Sequence, residues 1–257
     1  MTNQLQATPI SVFFAFLLVV ATLLISYKEQ LKLEKEIIIS TVRMVVQLVL
    51  VGMLLQWLFG FEQYWVTILM VLFMNLNAAW NASKRGKGLP RSFRNALIAI
   101  NLSSFLALTV MVGSGTLKFI PDQIIPINGM VIGTTMTTVG LVFNNLRRII
   151  EDRQQQINEM LALGANPKQA AHEVIKVVLN ASLQPTLDSI KTTGLVTLPG
   201  LMSGLIFAGV APTKAILYQI VIMFMMLSST SIGSYVIAYL TYPSFFNERY
   251  QLKQDLF

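Results

Sequence analysis

The sequence predicts an all-α membrane protein, a polytopic helix bundle with about seven transmembrane helices and a long cytoplasmic helix-turn-helix loop. Of its 257 residues, 54% are hydrophobic and only 12% are charged, whereas a soluble domain carries about 25% charged residues. Seven apolar stretches approach or exceed the length of about 20 residues that crosses a bilayer, and six of them contain no charge. The seven stretches are Ile10 to Tyr27, Ile37 to Phe59, Tyr64 to Trp80, Ala96 to Val112, Ile124 to Phe143, Gly194 to Val210 and Tyr218 to Tyr239.

The distribution of positive charge orients these spans. Sixteen of the nineteen Lys and Arg residues fall in the loops on one side, while only Lys118 and Lys214 fall on the other and Arg43 lies inside the second span. Because positive charge is retained on the cytoplasmic side, we expect a multi-pass membrane protein with its N-terminus outside and its C-terminus in the cytoplasm. The weakest span is Gly194 to Val210, where Leu198-Pro199-Gly200 allows a re-entrant hairpin that would invert the last helix.

The residue inventory excludes several kinds of active site. The chain has no cysteine and one histidine, which excludes disulfide frameworks, thiol catalysis and Cys/His zinc sites. Gly86-Lys87-Gly88 lacks the upstream glycine and the following hydroxyl residue of an ATP-binding phosphate loop. We therefore expect a transport subunit without its own ATPase site, with no cofactor and no identified metal site. The net charge of +7 indicates basic loops beside the bilayer, not binding to nucleic acid.

The long loop after the fifth span, residues 144–193, shows the pattern of helices joined by a tight turn. Apolar residues between Ile149 and Leu161 share one helical face. Gly164 stands where a helix C-cap favours glycine, and Asn166 with Pro167 is typical of the start of the next helix. A further break is expected at Gln184-Pro185. The first helix either lies on lipid headgroups or presents the turn to a protein partner, and its few cations favour the partner.

The run from Glu159 to Pro167 resembles the coupling loop of ABC-transporter permeases, which docks into a cleft of the ATPase subunit. The common form has its Glu six residues before the Gly, where this chain has Asn158. The resemblance implies that ATPase coupling falls to the residues of this turn and of the helix before it: Glu159, Leu163, Gly164, Ala165, Asn166 and Pro167.

A longer likeness covers most of the chain. It includes Asn77-Ala78-Ala79-Trp80-Asn81-Ala82, the stretch from Lys191 to Gly209, and Leu240-Thr241-Tyr242 near the end. These runs resemble the FetB-type permeases, the integral-membrane subunits of a bacterial iron exporter, whose plant relatives are linked to aluminium tolerance. The resemblance implies a single permease domain over residues 1–257 that pairs with a second copy and with two ATPase subunits.

Polar side chains within the spans are candidates for a transport pathway, although hydrogen bonding between helices explains each of them equally well. The candidates are Arg43, Gln47, Asn77, Asn81, Asn101, Asn128, Thr135 and Thr138. Small residues at helical spacing are candidates for close helix packing. They are Gly129, Gly133, Gly140, Gly200 and Gly204.

The substrate and the energy source are less well defined by the residues themselves. The spans contain no Asp, Glu or His, so iron is implied by the resemblance alone, and a chelated metal or a polar organic solute suits the same lining. The lack of carboxylates in the spans argues against an ion-coupled carrier. The alternatives to an ABC permease are a stand-alone channel or secondary carrier, and a membrane scaffold that does not transport.

Overall fold

The computed structural model describes residues 9–58 and 64–253 and confirms the all-α membrane class. These residues form two compact units, Met1–Phe61 and Glu62–Phe257. The first unit contains α1 (Pro9–Lys28) and α2 (Glu34–Leu58). The second contains seven α-helices: α3 (Tyr64–Ser83), α4 (Ser92–Gly113), α5 (Pro121–Asp152), α6 (Gln154–Ala162), α7 (Pro167–Thr192), α8 (Gly200–Phe207) and α9 (Pro212–Thr241).

The first unit is a helical hairpin. The Ser26 hydroxyl at the end of α1 donates a 2.8 Å hydrogen bond to the Glu34 carboxylate at the start of α2. Nearly all other side chains of the two helices are exposed or half-buried, as expected for apolar helices whose solvent is lipid. Phe59, the predicted end of the second span, lies outside the described residues.

The second unit is built around α5 and α9, which pack against each other and against α3, α4 and α7. We call the end at which α3 stops and α4 begins the basic end, because the intervening loop carries Lys84, Arg85, Lys87 and Arg91. One buried cluster, which includes Phe143, Leu146 and Ile150, lies toward this end. A second cluster, which includes Leu117, Ile124 and Ile222, lies toward the opposite end.

Two predicted helix boundaries in the long loop are wrong. The fifth span continues without interruption from Pro121 to Asp152, because Leu146, Ile149 and Ile150 remain buried beyond the predicted end of the span. The predicted break at Gln184-Pro185 is absent, and α7 runs through Pro185 to Thr192. Proline costs a helix one backbone hydrogen bond, and packing of α7 against α5 and α9 compensates for that loss.

The predicted sixth span, Gly194 to Val210, is not a spanning helix. It contains only α8, whose eight residues extend about 12 Å, less than half of a hydrocarbon core about 30 Å thick. Pro199 precedes the helix, and Gly209 ends it with a φ of +88°. Within residues 9–58 and 64–253, six helices are long and apolar enough to cross a membrane.

The chain nevertheless returns to the opposite end before α9 begins. α7 runs antiparallel to α5. Asn145 near the end of α5 donates a 3.0 Å hydrogen bond to Ser182, while Ser189, further along α7, shares a cavity with Thr134, earlier on α5. Leu201 of α8 packs on the cluster toward the opposite end. α9 then runs back, and the Asn95 amide at the start of α4 donates to the Leu240 carbonyl. The last helix therefore ends at the basic end.

Candidate functional site

The turn between α6 and α7, residues 163–167, is a tight, exposed elbow. Gly164 has a φ of +93°, a backbone conformation that glycine adopts without steric cost. Its amide donates to the Leu161 carbonyl, and the Ala165 amide donates to the Met160 carbonyl. These two bonds form a Schellman motif that satisfies the last carbonyls of α6. At the tip, Leu163 is 88% exposed.

A reciprocal cap fixes the start of the next helix. The Asn166 side chain accepts a 2.9 Å bond from the Gln169 amide, and the Gln169 side chain accepts a 2.9 Å bond from the Asn166 amide. Such a capping residue stabilises a helix by about 1 kcal/mol relative to alanine. Pro167 follows as the first helical residue. Both helix ends that meet at the elbow are therefore capped by hydrogen bonds within the chain.

The helix before the elbow, α6, buries its apolar face against other helices of the same chain. Ile157 is 1% exposed and belongs to the same buried cluster as Ile150 and Val174, and Met160 and Leu161 pack against that cluster. A helix lying on headgroups would instead direct this face into lipid. Glu159 is exposed, and its carboxylate accepts a 2.9 Å bond from the Gln155 amide. The outward surface of α6 and the elbow is thus exposed.

The end of the chain lies beside the elbow, a feature that the sequence analysis missed. Asn166, Pro167 and Lys168 form one side of a groove of about 470 Å³, and residues of the segment from Tyr242 to Tyr250 form the other. Tyr250 is 63% exposed. No local pattern could indicate this pairing, because the two segments are separated by about 80 residues of sequence. The exposed surface around the elbow is therefore built from two parts of the chain.

Two of the candidate pathway asparagines belong to a polar cluster at the centre of the second unit. The Asn75 amide donates a 2.9 Å bond to Asn101, and the Ser104 hydroxyl donates a 2.8 Å bond to Asn128. Asn75, Asn101 and Ser104 also border an apolar cavity of about 930 Å³ between α3 and α4. The sequence analysis omitted Asn75 and Ser104, although both are polar residues within predicted spans.

This cluster is incompletely hydrogen-bonded within the described residues. Asn128 is fully buried, yet its Nδ2 has no partner there, and the same holds for Oδ1 of Asn75. A buried amide atom without a partner costs free energy. The cluster therefore retains one donor and one acceptor that are free to hydrogen-bond a buried water molecule.

The other candidate pathway residues are not gathered at this cluster. The Thr135 hydroxyl donates to the Val131 carbonyl, and the Thr138 hydroxyl donates to the Thr134 carbonyl, so both bond within α5. The Asn81 amide donates to the side chain of Asn77, one turn earlier on α3. Arg43 and Gln47 are exposed on α2 in the first unit, where they border a shallow cavity.

The five glycines that the sequence analysis singled out for close helix packing divide into two groups. A Cβ atom would lie 3.0 Å from Met74 at Gly129 and 2.6 Å from Arg85 at Gly140, so these two allow close packing within the chain. Among the residues that the structure describes, a Cβ atom at Gly133, Gly200 or Gly204 would meet nothing within 4 Å. The structure therefore gives these three no close helix contact within the second unit.

α7 carries a charged pair in the part of the helix that packs alongside α5. Asp188 and Lys191 were assigned to a loop, but α7 carries them alongside α5. Pro185 and Ser189 share a cavity of about 210 Å³ with Thr134 of α5 and Met223 of α9. The Lys191 ammonium lies 3.3 Å from the Asp188 carboxylate.

Comparison with known proteins places this architecture in a family. Residues 9–246 match the model described as "Uncharacterised protein family (UPF0014)". The chain is 49% identical over 250 residues to the "Probable iron export permease protein FetB" of Escherichia coli, covering 97% of this chain and 96% of that one. It is 38% identical to "Protein ALUMINUM SENSITIVE 3" of Arabidopsis thaliana, covering 95% and 89%.

A third relative is the "UPF0014 membrane protein YjkA" of Bacillus subtilis, which is 34% identical with 96% and 98% coverage. No solved structure matches the chain. The family match extends from α1 to the segment after α9, so it includes the elbow and the central polar cluster. The chain is therefore a multi-pass helical membrane protein that belongs to the UPF0014 family.

Proposed function

We propose that this protein is the permease subunit of an ABC exporter that moves iron, or another metal or metal chelate, out of the cytoplasm. The energy comes from ATP hydrolysed by a separate subunit. The observation that carries the proposal is the exposed elbow at residues 163–167, which is capped on both sides. Such an elbow suits a contact through which movement of a bound ATPase is transmitted to the membrane helices. The substrate class follows the name of the E. coli relative.

The docking surface consists of the elbow and the C-terminal segment beside it. Leu163 and Tyr250 supply exposed apolar area, and the groove between the two segments offers a recess for a side chain of the ATPase. Two permease copies with two ATPase subunits form the working complex. In this arrangement the basic end faces the cytoplasm of a bacterium, as the placement of positive charge favours.

A stand-alone secondary carrier is the second candidate, and one observation favours it. Ion-coupled carriers use titratable groups within the membrane, and the Asp188–Lys191 pair lies beside the span formed by α5. The two functions differ in their dependence on a partner. A carrier works alone, whereas an ABC permease requires its ATPase.

The test measures whether an ATPase subunit co-purifies with the permease, and then how fast the complex hydrolyses ATP. The permease is co-expressed with the ATPase subunit encoded nearest to it, purified through a tag on the permease, and reconstituted in liposomes. We expect the ATPase to co-purify, and we expect ATP turnover to rise with one class among free metals, metal chelates and nucleotide sugars. The control is an ATPase with its phosphate-loop lysine replaced. Transport without any bound ATPase would instead establish the carrier.

The proposed orientation predicts the labelling of single cysteines introduced into the cysteine-free chain. Lys87→Cys at the basic end should react only with a reagent supplied from the cytoplasmic side. Lys214→Cys, at the start of α9, should react only from outside. The measurement is labelling of intact and permeabilised cells with a membrane-impermeant maleimide. Cytoplasmic labelling at position 214 would contradict the return of the chain through α7 and α8.

A further inference from the structure

A small cavity at the basic end lies between α5 and the loop that joins α3 to α4. Its volume is about 170 Å³. The loop contributes Arg85 and Lys87 to its border, and the last two turns of α5 contribute Arg147 and Arg148. The border also includes the carboxylate of Glu151. We call this space the basic cavity. Its four cations come from two segments about 60 residues apart in the sequence, so only the packing of the helices brings them together.

Close contacts with glycine position two of these cations. The Arg85 side chain packs on α5 at Gly140, where a Cβ atom would lie 2.6 Å from Cδ of the arginine. The Arg147 side chain packs on the loop at Gly88, where a Cβ atom would lie 2.9 Å from Nη2. A side chain at either glycine would displace the arginine that lies on it. The two guanidinium groups are therefore placed at the cavity by packing within the chain.

The four cations have no counter-ion among the residues that the structure describes. No carboxylate oxygen there lies within 4 Å of any of them, and none of them donates a hydrogen bond. Nε of Arg147 is buried without a partner. Like charges around one small cavity repel one another, and a buried donor without an acceptor costs free energy. An anion in the cavity would reduce both costs.

We propose that the basic cavity binds a phosphate group. Arginine presents a planar fork of donors that matches the oxygens of a phosphate, and lysine adds a compact positive charge. The cavity is smaller than the range of about 300–1,000 Å³ that is typical of sites for whole small molecules, so it suits one charged group of a larger ligand. A side-chain carboxylate has fewer acceptor oxygens than a phosphate and would leave more of the four cations unpaired.

The position of the cavity favours the phosphate of an anionic phospholipid. Trp80, in the last turn of α3, is 59% exposed, and its ring lies 5.9 Å from that of Phe93. An exposed tryptophan at the end of a span is typical of the headgroup level of a bilayer. The loop that carries Arg85 begins directly after this turn. Basic pockets between membrane helices bind anionic headgroups. A soluble phosphate compound offers the same chemistry, and the experiment distinguishes the two sources.

The site is tested by thermal unfolding of the purified full-length protein in dodecyl maltoside. The added ligands are short-chain phosphatidylglycerol, phosphatidylcholine of the same chain length, and inorganic phosphate with chloride at equal ionic strength as its control. A ligand that binds only the folded state stabilises it. We expect saturating phosphatidylglycerol to raise the midpoint of unfolding at least about 5 °C more than phosphatidylcholine does.

Two other outcomes decide against parts of the proposal. A rise with inorganic phosphate, together with equal effects of the two lipids, would overturn the lipid source and assign the site to a soluble phosphate compound. If phosphatidylglycerol has no more effect than phosphatidylcholine, and inorganic phosphate no more than chloride, the basic cavity is not a phosphate site.

Charge-matched variants show whether the effect is local to the cavity. Lys87→Gln combined with Arg148→Gln removes two exposed cations from its border, whereas Lys84→Gln combined with Arg94→Gln removes two exposed cations of the same end that do not border it. We expect the first pair to weaken binding at least about tenfold, because hydrogen bonds to charged groups are lost. The second pair should weaken it less than about threefold. Equal weakening by both pairs would overturn a local site.

Replacing Glu151 by glutamine provides a test of opposite sign. Its carboxylate borders the cavity and repels a bound phosphate, so Glu151→Gln should tighten the binding of phosphatidylglycerol about threefold. Weaker binding by this variant would contradict an anion in the cavity. All of these measurements use the permease without an ATPase. Failure of the phosphate site is thus distinguishable from failure of the proposed function, which is measured by co-purification.

Discussion

Replacing Gly164 by valine should weaken ATPase docking about tenfold while leaving the helix bundle intact. Gly164 holds a φ of +93°, where a residue with a Cβ costs about 1–2 kcal/mol, and more when it is β-branched. A Cβ there would meet nothing within 4 Å, so the penalty is confined to the backbone of the elbow. The measurement is the amount of ATPase that co-purifies with the permease and the substrate-stimulated ATP turnover of the complex.

Gly164→Asn is the matched control for this variant. Asparagine tolerates the left-handed region far better than valine, so it should retain most docking although its side chain is of similar size. The thermal stability of the isolated permease should be similar in both variants, since the elbow is exposed. If Gly164→Val bound ATPase as well as Gly164→Asn did, residues 163–167 would not be the coupling element.

Replacing Gly233 by valine should destabilise the second unit by about 3 kcal/mol, because overpacking a close helix contact forces the backbone apart. Gly233 is buried on α9 against α5, and a Cβ there would lie 2.8 Å from Cγ2 of Thr135. The added methyl groups of valine have even less room. We expect a lowered midpoint of thermal unfolding in detergent and a reduced amount of folded protein in the membrane.

Two comparisons separate this clash from a general intolerance of substitution. Gly52→Val, at a glycine of α2 with nothing within 4 Å of its Cβ position, should have little effect. Thr135→Ser removes the clashing methyl group but keeps the hydroxyl that bonds to Val131, so it should partly rescue Gly233→Ala. A double-mutant cycle measures that rescue as a coupling energy. Additive effects of the two substitutions would contradict the α5–α9 contact described here.

Features with a local physical cause could be predicted from the sequence. The five spans from α1 to α5 follow from the length of their apolar runs, because a bilayer requires about 20 such residues whatever the rest of the chain does. The positions of Gly164 and Asn166 at the elbow follow from capping, which involves only backbone groups within a few residues. The structure places the turn at these same residues.

The path of the chain after the elbow was decided by tertiary structure. The hydropathy of Gly194 to Val210 resembles that of a span, yet Pro199 and Gly209 leave a helix of eight residues. The polar second half of α7 resembles a loop, yet packing on α5 places it beside a span.

The central polar cluster and the groove beside the elbow depended on tertiary structure in the same way. Asn75 meets Asn101 only because α3 and α4 pack side by side, and the C-terminal segment reaches Asn166 only because α9 returns to the basic end. A pattern of residues specifies which side chains share a helical face. It does not specify which distant face meets it, because that depends on how all of the helices bury their apolar surfaces together.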